Sequence, residues 1–324
     1  MNGEKVLVTG CNGFIGSHLT LQLLHAGYQV VGLDILPPTE ALNIQSISNN
    51  SNFKYLSGDV TDKALIDSVI DASYSKVFHL AARVGIERYM ENPIDVVRTN
   101  VVGTLNVLEA AIRHNCYLFF SSTSEVYGKN PNVPWAEDDD RVLGSTSFER
   151  WSYSSSKSAA EHAVRGAFKQ QNLKGCIVRF FNIYGPGQSE AFVVSRNILL
   201  AAKGQPLIMH NSGTQTRCFT YIDDAVTACI KLVEEAKTNG EVFNVGTNTE
   251  HTVQEVLNAI IEVSGKSLTI ESVDTANNFG DAFEDIMRRV PQVSKIYEAI
   301  GWKATTNLHD GLYKTYQWAV NQKG

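Results

Sequence analysis

The chain has 324 residues, of which 43% are hydrophobic and 19% are charged, and its formal net charge is −6 at pH 7. This composition fits one large α/β domain or two closely packed ones. The absence of a lysine- or arginine-rich run weighs against a nucleic acid as the main partner, and no apolar run reaches the length of about 18 residues that a membrane span needs.

The N-terminal sequence runs almost at once into a predicted strand, residues 5–9, without the pattern of a signal peptide. Five cysteines are scattered along the chain without a Cys-x-x-Cys pair, which predicts reduced thiols and a cytoplasmic protein. Cys116, Cys176 and Cys229 lie in apolar segments and are expected in the core. No cluster of residues is spaced to bind a metal ion.

A glycine-rich turn follows the first strand. Three glycines are spaced Gly-x-x-Gly-x-x-Gly from Gly10 to Gly16, and a helix (17–26), a second strand (28–33) and Asp34 come next. Glycine lets the backbone approach a pyrophosphate closely, and the N-terminus of a helix attracts that anion. Asp34 is placed to bind an adenosine ribose. The order predicts a dinucleotide site, and an acid without a following Arg or Lys favours NAD over NADP.

The next predicted elements are a polar loop (37–52), a third strand (53–56) and a helix (63–72) capped by Thr61 or Asp62. These extend the alternation of strands and helices that is typical of a parallel sheet.

A fourth strand, residues 77–82, ends in small side chains, which would let a cofactor lie across the edge of the sheet. His79 lies within this apolar run and is expected to be a core histidine. The following helix, predicted at 94–113, contains Asn100 and Gly103. Both residues destabilise a helix interior, so each needs a specific reason to be there.

A cluster of hydroxyl groups and one carboxylate follows the strand at residues 117–120. Residues 121–125 read Ser-Ser-Thr-Ser-Glu. Ligands of open α/β sheets bind outside the carboxyl ends of the strands, so this segment predicts a ligand site rather than a simple capping turn. A long polar loop, residues 129–150, separates it from the next helix.

Tyr153 and Lys157 lie one turn apart on that helix. A phenol has a pKa of about 10, too high for a base at neutral pH, and a nearby cation lowers it. The pair is therefore a candidate general base, and the alternative is an exposed Tyr/Lys pair on a helix face. The dinucleotide site and the hydroxyl cluster favour the base.

The rest of the chain alternates again between strands and helices. The predicted elements are a strand at 176–181, a helix at 192–203, a strand running into a helix start at 213–224, a strand at 242–246, a helix at 253–263 capped by Thr252, and helices at 292–300 and 308–321.

The glycine loop, the segment 121–125, the Tyr153/Lys157 pair and Asn182-Ile-Tyr-Gly-Pro-Gly together resemble the extended short-chain dehydrogenases/reductases, the family of NAD-dependent sugar-nucleotide epimerases and dehydratases. The resemblance spans nearly the whole chain. It implies an α/β fold, in which residues 1–185 form a Rossmann-type doubly wound parallel sheet that carries NAD and the catalytic residues. Residues 186–324 would mainly form a smaller C-terminal α/β lobe for the sugar nucleotide, with some chain crossing back.

The resemblance also implies roles for individual residues. The catalytic residues would be Tyr153, Lys157, Thr123 and Glu125. The substrate-binding residues would be Ser124, Asn182, Arg217 and Arg289. The residues that bind NAD would be Gly10, Asn12, Gly13, Phe14, Ile15, Gly16, Asp34, Asp59, Val60, Leu80, Ala81, Ala82, Asn100, Tyr153 and Lys157.

In this family the chemistry begins at C4 of the sugar. Tyr153, ionised through Lys157 and the positive nicotinamide ring, would take the proton of the C4 hydroxyl, which Thr123 orients, while NAD takes the hydride. The resulting 4-keto sugar can lose the C5 proton or a C6 carboxylate.

The fate of the ketone depends on several residues around the site. Glu125, Arg150-Trp151 and Arg289 resemble the UDP-glucuronate decarboxylases, which makes decarboxylation of UDP-glucuronate the leading interpretation. Gly187 weighs against it, because uronate-handling relatives usually carry Arg there. Dehydratases that eliminate from C6 usually carry Asp at the position of Ser124.

The main alternative is 4-epimerisation of a UDP-sugar (UDP-glucose, UDP-N-acetylglucosamine or UDP-glucuronate), and a dehydratase is the third. A non-catalytic NAD-sensing relative is the alternative from another class, but such a protein has no use for Tyr153, Lys157 and Thr123. The resemblance also implies a homodimer, formed through two helices centred near Val102 and Ala163.

Overall fold

The computed structural model describes residues 3–273 and 286–322. From β1 to β6 its strands alternate with helices, as the sequence predicts, and later strands also follow one another directly. The strands are β1 (Lys5–Thr9), β2 (Gln29–Asp34), β3 (Phe53–Ser57), β4 (Tyr74–His79), β5 (Tyr117–Thr123), β6 (Gly175–Phe180), β7 (Ile183–Tyr184), β8 (Leu207–His210), β9 (Thr216–Arg217), β10 (Thr220–Tyr221), β11 (Glu241–Val245), β12 (His251–Thr252), β13 (Ile270–Val273) and β14 (Arg288–Arg289).

The helices bracket these strands. They are α1 (Phe14–His25), α2 (Lys63–Val69), α3 (Ile86–Glu91), α4 (Pro93–Val97), α5 (Thr104–His114), α6 (Trp151–Gln170), α7 (Val193–Lys203), α8 (Ile222–Glu234) and α9 (Val253–Ser264), followed by helices at Ser294–Ile300 and Leu308–Asn321. No helix within the described ranges is both long and apolar enough to cross a membrane.

Seven parallel strands form the central sheet, in the order β11-β6-β5-β4-β1-β2-β3. Successive residues of a strand point to opposite faces, and both faces are buried. Val6 and Val8 of β1 pack with α1 and α8, whereas Leu7 packs on the other side with α2, α5 and α6. Helices therefore cover both faces, which confirms the predicted Rossmann-type doubly wound sheet.

The second half of the chain contributes both to this sheet and to smaller ones. β11 joins the edge of the central sheet beside β6, and three small sheets pair β7 with β10, β8 with β13, and β9 with β12 and β14. The strand predicted at 213–224 is in fact two short strands followed by α8. The division at residue 185 stays a prediction, consistent with the expected crossing back of the chain.

The helix predicted at 94–113 contains a π-helical turn, Arg98–Gly103, between α4 and α5. Asn100 and Gly103 both lie in this turn, where their low helix propensity is accommodated. Gly103 allows close packing as well, since a Cβ there would lie 2.6 Å from Cγ2 of Val60.

Asp224 of α8 anchors the C-terminal part of the chain. Its buried carboxylate accepts hydrogen bonds from Oγ1 of Thr305 at 2.9 Å and from the backbone N–H of Thr306 at 2.8 Å, and its carbonyl accepts one from Nε1 of Trp302.

We expect Asp224→Ala to lower the free energy of unfolding by about 2 kcal/mol, because two donors lose a charged acceptor. Asp224→Asn keeps one acceptor oxygen and should lose roughly half as much. Urea denaturation followed by circular dichroism measures both. Equal stability of the Ala variant and the parent protein would contradict this anchoring role.

Candidate active site

A cavity of about 770 Å³ lies at the carboxyl ends of the central strands, and we call it the central cavity. It brings together most of the site residues that the sequence predicts. Those that line it are Gly10, Asn12, Gly13, Phe14, Ile15, Gly16, Asp34, Asp59, Val60, Leu80, Ala81, Ala82, Thr123, Ser124, Glu125, Tyr153, Lys157, Asn182 and Arg289. Gly187 lines it too.

The glycine loop has the shape of a dinucleotide cradle. Gly10 has φ +72°, which favours glycine, and a Cβ on Gly16 would lie 2.0 Å from the carbonyl oxygen of Gly10. The carboxylate of Asp34 accepts a hydrogen bond from the backbone N–H of Asn12 at 2.9 Å. The acid thus holds the loop in shape and stands at the end of β2, where a ribose is expected.

We expect Gly16→Ala to weaken NAD binding by roughly tenfold to a hundredfold, because the new methyl group must displace backbone at the floor of the loop. Gly166→Ala on α6 is the matched control, since a Cβ there would meet nothing within 4 Å and Gly166 does not line the cavity. Calorimetric titration with NAD measures both. If the two variants bound NAD equally well, the loop would not be the cradle.

Tyr153 is buried against Tyr89, whose ring stacks on it at a centroid distance of 4.8 Å and an angle of 9°. Burial and then the charge of Glu125 raise the pKa of Tyr153, while a hydrogen bond with the side chain of Thr123 acts in the opposite direction. The sequence interpretation, in which Lys157 lowers this pKa, is therefore wrong for the protein alone. Burial has the largest effect on the pKa of Tyr153, and the ammonium of Lys157 is bound to the carbonyl oxygen of Ser121 instead.

The Nζ atom of Lys157 donates to the carbonyl oxygen of Ser121 at 2.8 Å and lies 4.9 Å from the ring centre of Phe120. Burial lowers the pKa of Lys157 to about 8, and the nearby charge of Glu161 works against that shift. The cation is therefore fixed between α6 and β5, and it stays mostly protonated at neutral pH.

Glu125 is bound by two arginines that are distant in sequence. One carboxylate oxygen accepts from Nη1 of Arg289, and the other lies 3.5 Å from Nη2 of Arg150. Burial alone would raise the pKa of Glu125, but the charges of Arg289 and Arg150 outweigh it and hold the pKa below its ordinary value. Glu125 is thus an ionised carboxylate that orients Arg289 at the wall of the central cavity.

Two buried donors at the cavity have no hydrogen-bond partner among the described residues: Nε of Arg289 and Nδ2 of Asn182. Asn182 follows β6 with φ +42°, a conformation that aims the chain across the strand ends. An unpaired buried donor is costly, and both residues line the cavity, which makes their side chains candidates to meet a polar ligand there.

Two predicted contacts do not reach the cavity. The side chain of Asn100 accepts from the backbone N–H of Arg83 and donates to Oγ of Ser156, each at 3.1 Å. Asn100 lies outside the cavity lining and connects α6 to the segment after β4, so its expected contact with NAD stays a prediction. Arg217 also lies outside the cavity lining, and it donates to the carbonyl of Thr216 at 2.8 Å. It lies opposite Arg289 in the pairing of β9 with β14.

His79 is the core histidine that the sequence predicts. Burial lowers its pKa to about 3, so the ring is neutral. The hydroxyl of Thr104 donates to the carbonyl of Asn100 and must therefore accept from Nε2 of His79, which carries the proton. Nδ1 accepts from the hydroxyl of Thr9 at 2.7 Å. The ring connects β1 to the first residue of α5.

Sequence reasoning did not predict some cavity residues. Tyr89 and Arg88 of α3 line the wall beside Tyr153, and Asn43 closes the glycine loop by donating to the backbone carbonyl of Asn12 at 2.9 Å. Short elements such as α3 give no periodic signal, and nothing in the sequence near Asn43 indicates its partner.

Comparison with known proteins identifies the family. The profile of the GDP-mannose 4,6 dehydratase family matches residues 7–315. A UDP-N-acetyl-alpha-D-glucosaminuronate decarboxylase of Bacillus cytotoxicus is 38% identical over 318 residues, which cover 97% of each chain. UDP-glucuronic acid decarboxylase 1 of Danio rerio is 32% identical over 97% of this chain and 72% of its own length.

The fold agrees with solved structures of the same class. UDP-glucuronic acid 4-epimerase from Bacillus cereus, solved with UDP-glucuronic acid and NAD, has a TM-score of 0.86 and 30% identity, covering 98% of this chain and 99% of its own. A dTDP-glucose 4,6-dehydratase from Bacillus anthracis, also solved with NAD, has a TM-score of 0.84 and 27% identity over 98% and 96% of the two chains. The chain therefore belongs to the GDP-mannose 4,6 dehydratase family and is an NAD-dependent enzyme of sugar-nucleotide chemistry.

Proposed function

We propose that this enzyme decarboxylates a UDP-linked uronic acid, with UDP-glucuronate as the leading substrate and its 2-acetamido counterpart beside it. The observation that carries the proposal is Arg289, which lines the central cavity with its Nη1 bound to Glu125 and its buried Nε without a partner among the described residues. A guanidinium held in this way is suited to a second carboxylate. The similarity to two decarboxylases supports the same reaction.

The glycine loop, Asp34, Leu80 and the small residues Ala81 and Ala82 would hold NAD, which when bound supplies the hydride acceptor at C4. Tyr153 would take the proton of the C4 hydroxyl, with the Thr123 hydroxyl beside it as the orienting group. The raised pKa of Tyr153 means that this base needs nearby positive charge, and the nicotinamide ring and Lys157 are the two sources.

Loss of the carboxylate then follows from the position of the ketone. The C6 carboxylate of a 4-keto uronate is β to the carbonyl, so the electron pair of the C5–C6 bond moves toward C4 as CO2 leaves. A proton from solvent added at C5 restores the ketone. Tyr153 would return its proton to the C4 oxygen as the hydride goes back to C4, which completes the cycle. Arg289 would bind the carboxylate before it leaves, and Glu125 would keep Arg289 in place as that charge disappears.

Epimerisation at C4 is the second candidate, and Gly187 favours it. This residue lines the central cavity with φ +81°, at the position where the resemblance leads one to expect an Arg in uronate enzymes. The similar 4-epimerase from Bacillus cereus was solved with UDP-glucuronic acid, so a uronate substrate would suit either reaction.

Incubation with a panel of UDP-sugars tests the proposal. The panel holds UDP-glucuronate, UDP-N-acetylglucosaminuronate, UDP-glucose and UDP-N-acetylglucosamine, and products are followed by mass spectrometry and CO2 release. We expect CO2 and a pentose nucleotide from a uronate. An unchanged mass with altered retention indicates an epimerase, loss of water a dehydratase, and no conversion an NAD-sensing protein.

We further propose a cytoplasmic homodimer. Ile94 is 70% exposed, and Val97 of α4, Val102 of the π-helical turn and Leu105 of α5 are exposed as well. Light scattering of the protein after size exclusion should give a mass twice that of the chain. A Val102→Glu variant should give a smaller mass.

A further inference from the structure

A buried cluster of charges lies behind the wall of the central cavity. The carboxylate of Glu161 accepts two hydrogen bonds from Arg179, from Nε at 3.0 Å and from Nη2 at 2.7 Å, and a third from the hydroxyl of Ser122. Glu161 is 3% exposed and Arg179 is 6% exposed. Neither residue lines the cavity, so the reaction described above does not use them directly.

The cluster joins the elements that carry the catalytic groups. Glu161 lies one turn after Lys157 on α6. Lys157 donates to the carbonyl of Ser121, and the next residue, Ser122, donates to Glu161, so α6 is attached to β5 at two successive positions. The residue after these is Thr123, whose hydroxyl meets Tyr153.

Arg179 extends the same network to the loop that precedes α6. Its Nη1 donates to the hydroxyl of Tyr127 and to the carbonyl of Glu137, each at 2.8 Å. The Tyr127 hydroxyl in turn donates to Asn244 of β11 at 2.8 Å. This loop ends at Arg150, which pairs with Glu125.

A buried ion pair is a poor source of stability, because apolar side chains of the same volume often stabilise a fold equally well. Its position beside Lys157 gives it a different use. The ammonium of Lys157 and its immediate neighbours are surrounded by groups from four elements. These groups are Tyr153 and Glu161 on α6, neutral His79 on β4, the ring of Phe120 on β5 and Arg179 on β6. Of these groups, Glu161 carries the negative charge.

We propose that Glu161 and Arg179 are positioning residues of the active site, which fix α6 against β5 and set the charge state of Lys157. The two partners act on that charge in opposite directions. Glu161 stabilises the ammonium, and Arg179 repels it while neutralising Glu161. The inference requires Lys157 to belong to the proposed active site, but it does not depend on which sugar is the substrate.

The test is the titration of Lys157 itself, followed by NMR of the Cε carbon in protein labelled with ¹³C-lysine. The resonance that is missing in Lys157→Met identifies the residue. We expect a midpoint near 8 in the parent protein. In Glu161→Gln the midpoint should fall by about one pH unit, and in Arg179→Gln it should rise by about as much, because Arg179 no longer offsets the attraction between Glu161 and Lys157.

Arg179→Lys keeps the charge and should leave the midpoint within a few tenths of a unit of the parent value. If Glu161→Gln does not fold, the difference between the Lys157 midpoints of Arg179→Gln and Arg179→Lys still tests the proposal. Shifts of the same sign in the two neutral variants, or no shift in either, would overturn the proposal. Since no substrate is used, that result is distinguishable from failure of the proposed decarboxylation.

Turnover gives the second measurement. Where a UDP-sugar is converted, the alkaline limb of kcat should follow the Lys157 midpoint in each variant, with little change in KM. A role in stability alone would lower the melting temperature of both neutral variants and leave the limb of the pH profile where it was.

Discussion

Replacement of Tyr153 by Phe should lower kcat by about a thousandfold, because the hydroxyl proton at C4 of the sugar loses its acceptor. The ring stacks on Tyr89 and the residue is buried, so the variant keeps its packing and should bind NAD as the parent protein does. Single-turnover formation of NADH with the accepted UDP-sugar measures the step directly.

Tyr89→Phe is the matched control for this change. It removes the hydroxyl from the other ring of the same stacked pair, and we expect kcat to stay within about threefold of the parent value. Intact turnover in Tyr153→Phe, or an equal loss in the two variants, would mean that the base of the reaction is a different group.

Replacement of Arg289 by Met should lower kcat/KM for a UDP-uronate roughly a hundredfold or more, since it removes a buried guanidinium and leaves Glu125 paired with Arg150 alone. The loss should be much smaller for NAD binding, because Arg289 is not part of the glycine loop that would hold NAD. Initial rates of CO2 release against substrate concentration give the value.

The neighbouring Arg288→Met provides the control within one strand. Arg288 is exposed and pairs with Glu250 on the surface, so its loss should change kcat/KM by no more than about twofold. If the two variants behaved alike, Arg289 would act through the local structure of β14 rather than through the substrate carboxylate.

Local patterns in the sequence were sufficient to predict the parallel sheet and the glycine loop of the N-terminal half of the chain. Glycine spacing, an acid after β2 and alternating apolar strands depend on neighbours within a few dozen residues, and the structure confirms the parallel sheet that they predict. Short elements were missed or misread. β8 and β13 each have four residues, too few for a periodic signal to separate a strand from a loop.

The site was predictable residue by residue but not as an arrangement. Glu125, Arg150 and Arg289 were each singled out, yet the hydrogen bond between Glu125 and Arg289 joins residues 164 positions apart, and no local pattern encodes their contact. The pKa of Tyr153 was predicted in the wrong direction for the same reason. Its dominant cause is burial, which belongs to the tertiary structure and not to the spacing of Tyr153 and Lys157.

The π-helical turn at Arg98–Gly103 also bears on which changes in chain length this enzyme can tolerate. A π-helical turn holds one more residue than an α-helical turn, and one residue rotates a helix by about 100°. Deletion of one residue there would leave every loop at its present length, but it would rotate α5. Asn106 would then move away from the carbonyl oxygens of Val60 and Thr61, to which it now donates hydrogen bonds. The number of residues in this turn, as much as their identity, therefore determines the position of Val60, which lines the cavity.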